Sequence, residues 1–222
     1  MKLAIFDFDG TLFPRETLPF LLSQWNHHKY SRAKMLRVYV NLIPLYLRYK
    51  LGIKSKLTSE QMKIMAVYGF NNIFTGMTEQ EVHKYLLKVS RSVNILLNPL
   101  VVEEVQKTIK EGYHTVLLSG AFRMLLNIVG ENLGIQTVIG TDLYFNNGKF
   151  DPYRKPQIVI GSVKMEKLFD HFNSNEVDWP GSCAYADSYS DLALMEAVGE
   201  PVAVNPDDRL KSIASEKGWR II

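Results

Sequence analysis

The sequence predicts an α/β fold, in which a mostly parallel sheet flanked by helices is interrupted near its start by a helical insertion. From residue 96 onward, short apolar runs alternate with helical patterns, which is typical of a parallel sheet. A further apolar run, residues 2–8, stands alone at the start of the chain. Residues 17–95 show helical patterns and no clear strand. We therefore predict an α/β core of residues 1–14 and 96–222, and a helical domain of residues 15–95.

The composition is that of a folded globular protein. Hydrophobic residues make up 46% of the 222 positions and charged residues 22%, which argues against intrinsic disorder. A formal net charge of +3 is too small to predict a nucleic acid as partner. The single cysteine, Cys183, excludes an internal disulfide and an all-cysteine zinc site.

Neither a signal peptide nor a membrane span is predicted. Asp7 interrupts the first apolar run too early for a signal peptide. No run approaches the ~18–20 apolar residues that cross a bilayer, and the longest candidate, residues 38–47, contains Asn41 and Pro44. We therefore expect a soluble, cytoplasmic protein, and the sequence makes no prediction of its oligomeric state.

Local signals mark helix boundaries within the insertion. Thr58 with Gln61, and Thr78 with Glu81, match the capping box that opens a helix. Pro44 lies inside an otherwise helical pattern, where proline removes a backbone donor. We expect a helix to kink or end there.

The second half of the chain alternates strands and helices. Asn98 before Pro99 predicts the start of a helix that stops at Gly112. Asn147-Gly148 predicts a hairpin turn between residues 137–143 and 149–153. The other predicted strands are residues 114–118, 183–186, 202–205 and 219–222, and the helices are 121–133, 163–172, 190–198 and 207–217.

Acidic residues follow two of the predicted strands. Asp7 and Asp9 come after the first apolar run, and alternation along a strand lets both point the same way. Asp187 follows a later strand, with Asp191 four residues on. Because parallel strands end at one edge of the sheet, where ligands bind, we expect these carboxylates to converge. Carboxylates suit a hard cation such as Mg²⁺. Taken alone, Asp187 and Asp191 also fit a helix cap and a first-turn acid.

A second set of groups suits a phosphate. Ser119-Gly120 ends another apolar run just before a helix, whose free amides favour an anion. Lys164 stands near the start of a later helix, although Lys149 and Lys155 are alternatives for the same role. A cation, a hydroxyl and amides suit a phosphoryl group. The carboxylates, the lysine, the serine and the amides make chemical sense as one site only if that site binds a metal ion and a phosphoryl group together.

The motifs D-F-D-G-T at 7–11, L-S-G at 118–120, G-S-V-K at 161–164 and A-D-S-Y-S-D at 186–191 occur in this order. Together they resemble the four ordered motifs of the haloacid dehalogenase superfamily, and in particular its phosphoserine-phosphatase-like branch. The resemblance implies a Rossmann-like α/β core, and it implies that the helical insertion is the cap domain of that branch.

The resemblance also implies a phosphatase and a role for each motif. Asp7 would be the nucleophile that forms an aspartyl-phosphate. Asp9 would protonate the leaving group and then take a proton from water. Ser119 and the Gly120 amide would bind phosphoryl oxygens, and Lys164 would hold Asp7 and the phosphoryl group. The implied Mg²⁺ ligands are the Asp7 carboxylate, the Asp9 carbonyl and Asp187, with Asp191 as a ligand or a support.

The substrate is less specified than the reaction. Glu16 matches the glutamate that receives the substrate's amino group in phosphoserine phosphatases, or is an ordinary first-turn acid. Those enzymes also carry a cap arginine, whereas residues 57–63 offer only Lys63. Phosphoserine is therefore disfavoured, and the leading prediction is a Mg²⁺-dependent phosphatase of a small soluble phosphate ester.

Two alternatives stay open. Residues 38–47 form an apolar stretch flanked by the cations Arg32, Lys34, Arg37, Arg48 and Lys50. Such a stretch fits a weak contact with a membrane surface, or a pocket for a lipid or lipid-linked phosphate, or the cap's own hydrophobic core. The other alternative is a non-enzymatic binding module of the same fold, against which the intact acidic motifs argue.

Overall fold

The computed structural model describes residues 1–51 and 58–222, and within them a six-stranded parallel sheet carries the fold. The strands are β1 Leu3–Phe6, β2 His114–Phe122, β3 Thr137–Thr141, β4 Phe145–Asn146, β5 Lys149–Phe150, β6 Cys183–Ala186, β7 Glu200–Ala203 and β8 Arg220–Ile221. The helices are α1 Thr17–His27, α2 Arg32–Leu51, α3 Ser59–Asn71, α4 Glu79–Ile95, α5 Pro99–Lys110, α6 Arg123–Leu133, α7 Ser162–His171, α8 Leu192–Ala197 and α9 Asp208–Lys217. This architecture confirms the predicted Rossmann-like α/β class with helices inserted after the first strand.

The strand order places a topological switch beside β1. The order β3-β2-β1-β6-β7-β8 puts β2 on one side of β1 and β6 on the other. Leu3 pairs with His114 of β2, and Ala4 pairs with Cys183 of β6. The loops that follow these three strands therefore diverge at one edge of the sheet, which is where ligands bind in open α/β folds.

Strand β1 is buried because both faces of the sheet are covered. Leu3 and Ile5 join the core cluster that contains residues of α7 and α8. Ala4 and Phe6 point the other way, into the larger cluster that contains residues of α5 and α6. Alternate side chains thus enter two apolar layers, and fully burying a Leu, Ile or Phe contributes roughly 1.5–3 kcal/mol.

The inserted helices pack on the core through aromatic residues. Phe70 and Phe74 lie 5.8 and 5.9 Å, between ring centroids, from Phe122 at the end of β2. Inside the insertion, the hydroxyl of Tyr85 donates a 2.6 Å hydrogen bond to the carbonyl of Leu21. These contacts fix the inserted helices over the carboxyl edge of the sheet.

Capping residues mark helix ends as predicted, whereas Pro44 does not. Both capping boxes are present at α3 and α4, and Gly112 adopts a φ of +79° just after α5. Helix α2, however, continues through Pro44, so the helix does not end there, and a kink at this position stays a prediction. Pro44 is exposed, where water can satisfy the backbone carbonyl that loses its partner. None of the described helices combines the length and apolarity that crossing a membrane requires.

Two predicted elements differ from the structure in position. Strand β2 extends to Phe122 with a bulge after Leu118, so α6 begins at Arg123 rather than at residue 121. The hairpin around Asn147-Gly148 joins β5, which opens the predicted strand 149–153, to the short strand β4 rather than to residues 137–143. The reason is that residues 137–141 pair with β2 in the main sheet instead. The division of the chain at residues 14/15 and 95/96 stays a prediction.

Candidate active site

Asp7 lies at the carboxyl end of β1, and a tight loop holds it there. Its amide donates a 2.9 Å hydrogen bond to the carbonyl of Tyr185, which extends the pairing of β1 with β6 by one residue. Gly10 adopts a φ of +81°, and a Cβ atom there would stand 2.1 Å from Oδ2 of Asp187. Glycine at this position therefore provides both the backbone conformation and the room that the Asp187 carboxylate needs.

Lys164 joins two carboxylates in the interior. Its Nζ atom lies 2.7 Å from Oδ1 of Asp7 and 2.7 Å from Oδ1 of Asp191. The three side chains are only 6%, 7% and 2% exposed. Burial by itself lowers the pKa of Lys164, but Asp191 and Asp7 outweigh it and the pKa is raised. The ammonium is therefore charged at neutral pH, and Lys149 and Lys155 are not needed for its role.

Asp187 completes an acidic cluster. Carboxylate oxygens of Asp7, Asp187 and Asp191 lie within 4.8 Å of one another. Burial, followed by repulsion from Asp7 and Asp191, raises the pKa of Asp187 to about 7. Burial likewise raises the pKa of Asp191. Three carboxylates facing one ammonium leave an excess of negative charge that a divalent cation would neutralise, so the oxygen donors present fit Mg²⁺.

Asp9 stands apart from the ion pairs and is held by Thr17, the first residue of α1. The Thr17 amide donates to Oδ1 of Asp9 at 3.1 Å, and the Thr17 hydroxyl donates to the same oxygen. Burial, with smaller contributions from Asp7 and Glu16, raises the pKa of Asp9 to about 7 despite these hydrogen bonds. Asp7 and Asp9 are thus two carboxyl groups in contrasting environments.

Ser119 and Gly120 lie inside the bulge of β2, rather than after the strand as expected. The Oγ atom of Ser119 is buried and accepts a 3.2 Å hydrogen bond from the amide of Ala121. At Gly120, a Cβ atom would stand 2.6 Å from Cγ2 of Ile160. Both residues line the same opening as Asp7.

A cavity of about 760 Å³ collects all of these groups between the sheet edge and the inserted helices. Its charged floor consists of Asp7, Lys164, Asp187 and Asp191. Its apolar wall consists of Leu18 and Leu22 of α1, Leu42 of α2, and Met62 and Val67 of α3. Asp9, Glu16, Ser119 and Gly120 also line it, so every predicted site residue reaches one cavity. Lys63 lines it as well, whereas residue 57 of the stretch 57–63 lies outside the described residues.

Three contributors were not foreseen from the sequence. Thr17 carried a signal, since a hydroxyl residue at a predicted helix start is a natural partner for a nearby carboxylate. Most of the apolar wall carried none, because its residues resemble ordinary core positions. Only Leu42 lies in the stretch 38–47, for which a pocket was one alternative. Arg209 also lines the cavity and stacks 3.6 Å above the ring of Tyr189, and its surroundings in α9 are those of a surface helix.

Comparison with known proteins identifies the family. Residues 4–196 match the family model described as haloacid dehalogenase-like hydrolase. An "Inhibition of morphological differentiation protein" from Streptomyces azureus is 26% identical over 99% of this chain and 77% of its own length. Phosphoserine phosphatase SerB1 from Mycobacterium tuberculosis is 29% identical over 54% of this chain and 39% of its own length.

A solved structure shares the fold. It is described as a substrate-bound phosphoserine phosphatase complex and superposes with a TM-score of 0.64 at 19% identity, covering 100% of this chain and 92% of that one. The predicted enzyme class, a phosphatase of this type, is confirmed by the family match together with relatives that are named as phosphatases. The chain belongs to the haloacid dehalogenase-like hydrolase family, and its fold is similar to that of a phosphoserine phosphatase.

Proposed function

We propose that the protein hydrolyses a phosphate monoester in the presence of Mg²⁺, with the phosphoryl group carried transiently on Asp7. The proposal rests above all on the charged floor, where a buried carboxylate at the end of β1 lies 2.7 Å from a lysine and beside two further carboxylates. A nucleophile, a fixed cation and a set of hard oxygen donors are thereby combined at the switch point of the sheet.

Electrostatics explains why the combination is needed. Two unit negative charges about 4 Å apart repel by roughly 4 kcal/mol at an effective dielectric constant of about 20. A carboxylate that attacks a phosphate faces this repulsion. Lys164 offsets part of it, and Mg²⁺, when bound, supplies further positive charge to the phosphoryl oxygens. Residues available to hold the ion are Asp7, the Asp9 carbonyl, Asp187 and Asp191.

Asp7 and Asp9 divide the chemistry. An Oδ atom of Asp7 forms a bond to phosphorus as the bond from phosphorus to the ester oxygen breaks, and Asp9 donates a proton to the departing oxygen. A water molecule then attacks phosphorus and gives a proton to Asp9, while the bond to Asp7 breaks and frees the carboxylate. A pKa of about 7 leaves a substantial protonated fraction of Asp9 at neutral pH, which the first step requires.

Three further groups orient the phosphoryl group. The Oγ atom of Ser119 accepts its hydrogen bond from Ala121, which leaves its proton free to be donated to a phosphoryl oxygen. We propose the amide of Gly120 as a second donor, and Lys164 as the group that holds Asp7 in line. Positioning and charge stabilisation of this kind provide most of the catalysis in phosphoryl transfer.

For the substrate, we propose a small phosphate ester first and a lipid or lipid-linked phosphate second. Glu16 lines the cavity, where its carboxylate suits a cationic group on a small metabolite. The apolar wall favours an ester with a hydrocarbon body, and Lys63 lacks the planar fork that would clamp a substrate carboxylate. Location in the cytoplasm stays a prediction.

A panel of phosphate esters tests the proposal. Phosphate release is measured with Mg²⁺ and with EDTA, for phosphoserine, for small polar esters and for alkyl phosphates of increasing chain length. We expect release that depends on Mg²⁺ and is poor for phosphoserine. If no ester in the panel is hydrolysed with Mg²⁺, the proposal is contradicted and the alternative of a binding module of this fold is favoured.

A further inference from the structure

Helix α2 is apolar on two opposite faces. Its inner face packs on the insertion through Met35, Val38 and Leu42, and Val38 is completely buried. These positions recur at intervals of three and four residues, which is the spacing that one face of a helix requires. These three residues form the inner face, through which the described part of α2 packs on the insertion.

The outer face of α2 is a continuous apolar stripe. It consists of Leu36, Val40, Ile43 and Leu47, which are 63%, 62%, 52% and 47% exposed. These residues are again spaced by four, three and four positions, half a turn away from Val38. Among the described residues, α2 carries six of the fourteen large apolar side chains that are exposed. Single exposed apolar residues are ordinary, but a contiguous stripe marks a docking surface.

The charge of α2 indicates what it docks on. The helix contains no aspartate or glutamate, whereas it contains Arg32, Lys34 and Arg37 in its first half and two further cations near its end. Lys34 donates to the carbonyl of Thr75, while Arg32 and Arg37 are exposed. The side chains of the late cations, Arg48 and Lys50, lie outside the described residues. A helix whose charged residues are all cations, and which exposes an apolar stripe, complements an anionic, partly apolar surface.

We propose that the outer face of α2 docks on the surface of a bilayer that contains anionic lipids. The helix lies in the plane of the interface, with Leu36, Val40, Ile43 and Leu47 among the acyl chains and the arginines at the headgroups. A second copy of the chain is a poorer occupant, because two such helices would bring cations together with no acid on either one. The proposal stands on the surface alone and does not depend on the proposed reaction.

Docking would also affect the cavity. Leu42 and Tyr46 line the cavity from the same helix that carries the outer face. A docked α2 therefore holds the cavity beside the bilayer, where an amphiphilic phosphate ester is concentrated. Docking of α2 would therefore favour a lipid or lipid-linked phosphate as substrate. The docking proposal does not require that substrate.

Vesicle co-sedimentation of the full chain tests the proposal. The vesicles contain phosphatidylcholine alone or with phosphatidylglycerol, at low and high salt. The test variant is V40E/I43E, and the matched control is I95E/L100E, which places two acids at exposed apolar positions on α4 and α5. A third variant, R32E/R37E, reverses two charges and leaves the stripe intact.

We expect the wild type and the control to bind the phosphatidylglycerol vesicles, and to bind less as salt rises. V40E/I43E should lose at least about tenfold in vesicle affinity, because two aliphatic side chains can no longer be buried. R32E/R37E should lose the preference for phosphatidylglycerol. Because binding is measured without substrate, a missing phosphatase activity would leave this result unaffected.

Three results would overturn the proposal. The first is an absence of wild-type binding to either vesicle, and the second is equal binding by V40E/I43E and the wild type. The third is a dimer in solution that V40E/I43E disrupts while no variant binds vesicles, which would assign the outer face to a second copy. Thermal melts of each variant establish whether it is folded. If V40E/I43E is not folded, the test is R32E/R37E, and unchanged binding of that variant to phosphatidylglycerol vesicles would overturn the proposal.

Discussion

The charged floor and the apolar wall of the cavity are built by different elements and held by different forces. The floor residues lie after β1, after β6 and in the first turn of α7. Lys164 forms buried ion pairs of 2.7 Å with Asp7 and Asp191. The wall comes from α1, α2 and α3, and its residues Leu18, Leu22, Leu42 and Val67 belong to the apolar core or pack against it. The floor suits the proposed phosphoryl transfer. Residues of the wall can be replaced to fit a different ester without altering the floor.

The floor is stable only as a set. Burying ions is costly, and removing one partner of a buried pair typically destabilises a protein by about 3–5 kcal/mol because a charge is left uncompensated. Lys164 faces Asp7 and Asp191 at once, so a change at any one of these three residues leaves a buried charge without its partner. The wall has no such coupling, since apolar contacts are non-directional. Four substitutions separate the two regions.

The largest effect is expected for Asp7→Asn. The amide cannot act as the nucleophile, so phosphate release should fall by roughly 10⁴-fold or more. Steady-state release of phosphate in the presence of Mg²⁺ measures the change. Asp170→Asn, which alters an exposed aspartate on α7, serves as the control and should behave like the wild type. Retained activity in Asp7→Asn would remove this residue from the mechanism.

Asp9→Asn should reduce turnover less than Asp7→Asn does, and it should affect a different step. Loss of the acid–base group should slow turnover by about 10²–10⁴-fold, and the phosphoryl group should persist on Asp7 because water is no longer deprotonated. Intact-protein mass spectrometry after brief exposure to an ester measures the phosphorylated fraction. The same rates in Asp9→Asn and the wild type would contradict the assignment of Asp9.

Lys164→Met tests the coupling of the floor. Three carboxylates are left without the ammonium, so the free energy of unfolding should fall by about 3 kcal/mol without divalent ions. Mg²⁺ should restore part of the loss by binding the same carboxylates. Urea unfolding with and without Mg²⁺ measures both effects. The control is Lys167→Met on the exposed side of α7, and an equally small loss in both variants would argue against a coupled floor.

Met62→Gln changes the wall and should give the smallest effect. A polar group in place of the thioether should lower kcat/KM for long alkyl phosphates, relative to short ones, by about tenfold. The ratio of kcat/KM values across the ester series is the measurement. Leu87→Gln, on the exposed side of α4, should leave that ratio unchanged. An unchanged ratio in Met62→Gln as well would mean that the hydrocarbon body does not contact α3.

Much of the fold and floor could be predicted because the signals are local or ordered. The motifs around Asp7, Ser119, Lys164 and Asp187 come in a fixed order, and those of Asp7, Lys164 and Asp187 stand just after a strand or at the start of a helix. Strand and helix periods are set by side-chain direction, which the sequence carries directly. The place of Ser119 within a bulge was missed, because a bulge depends on pairing with a distant strand.

Pro44 is a second position at which packing against distant residues overrides a local signal. Proline disfavours a helix interior locally, yet α2 continues because its inner face is anchored by Val38 and Leu42. The sequence alone showed that residues 38–47 are apolar, but not which of them would be buried. Only the packing of the insertion determined that one face is covered and the other is exposed.

The sequence by itself determined the reaction class, since the order and chemistry of the acidic, serine and lysine motifs are local properties of the chain. The tertiary structure decided what surrounds that chemistry: Thr17 on Asp9, the apolar wall, and the uncovered face of α2. The physical reason is that apolar packing is non-directional, so an apolar residue does not encode its partner. Burial and proximity arise only when distant segments of the chain meet.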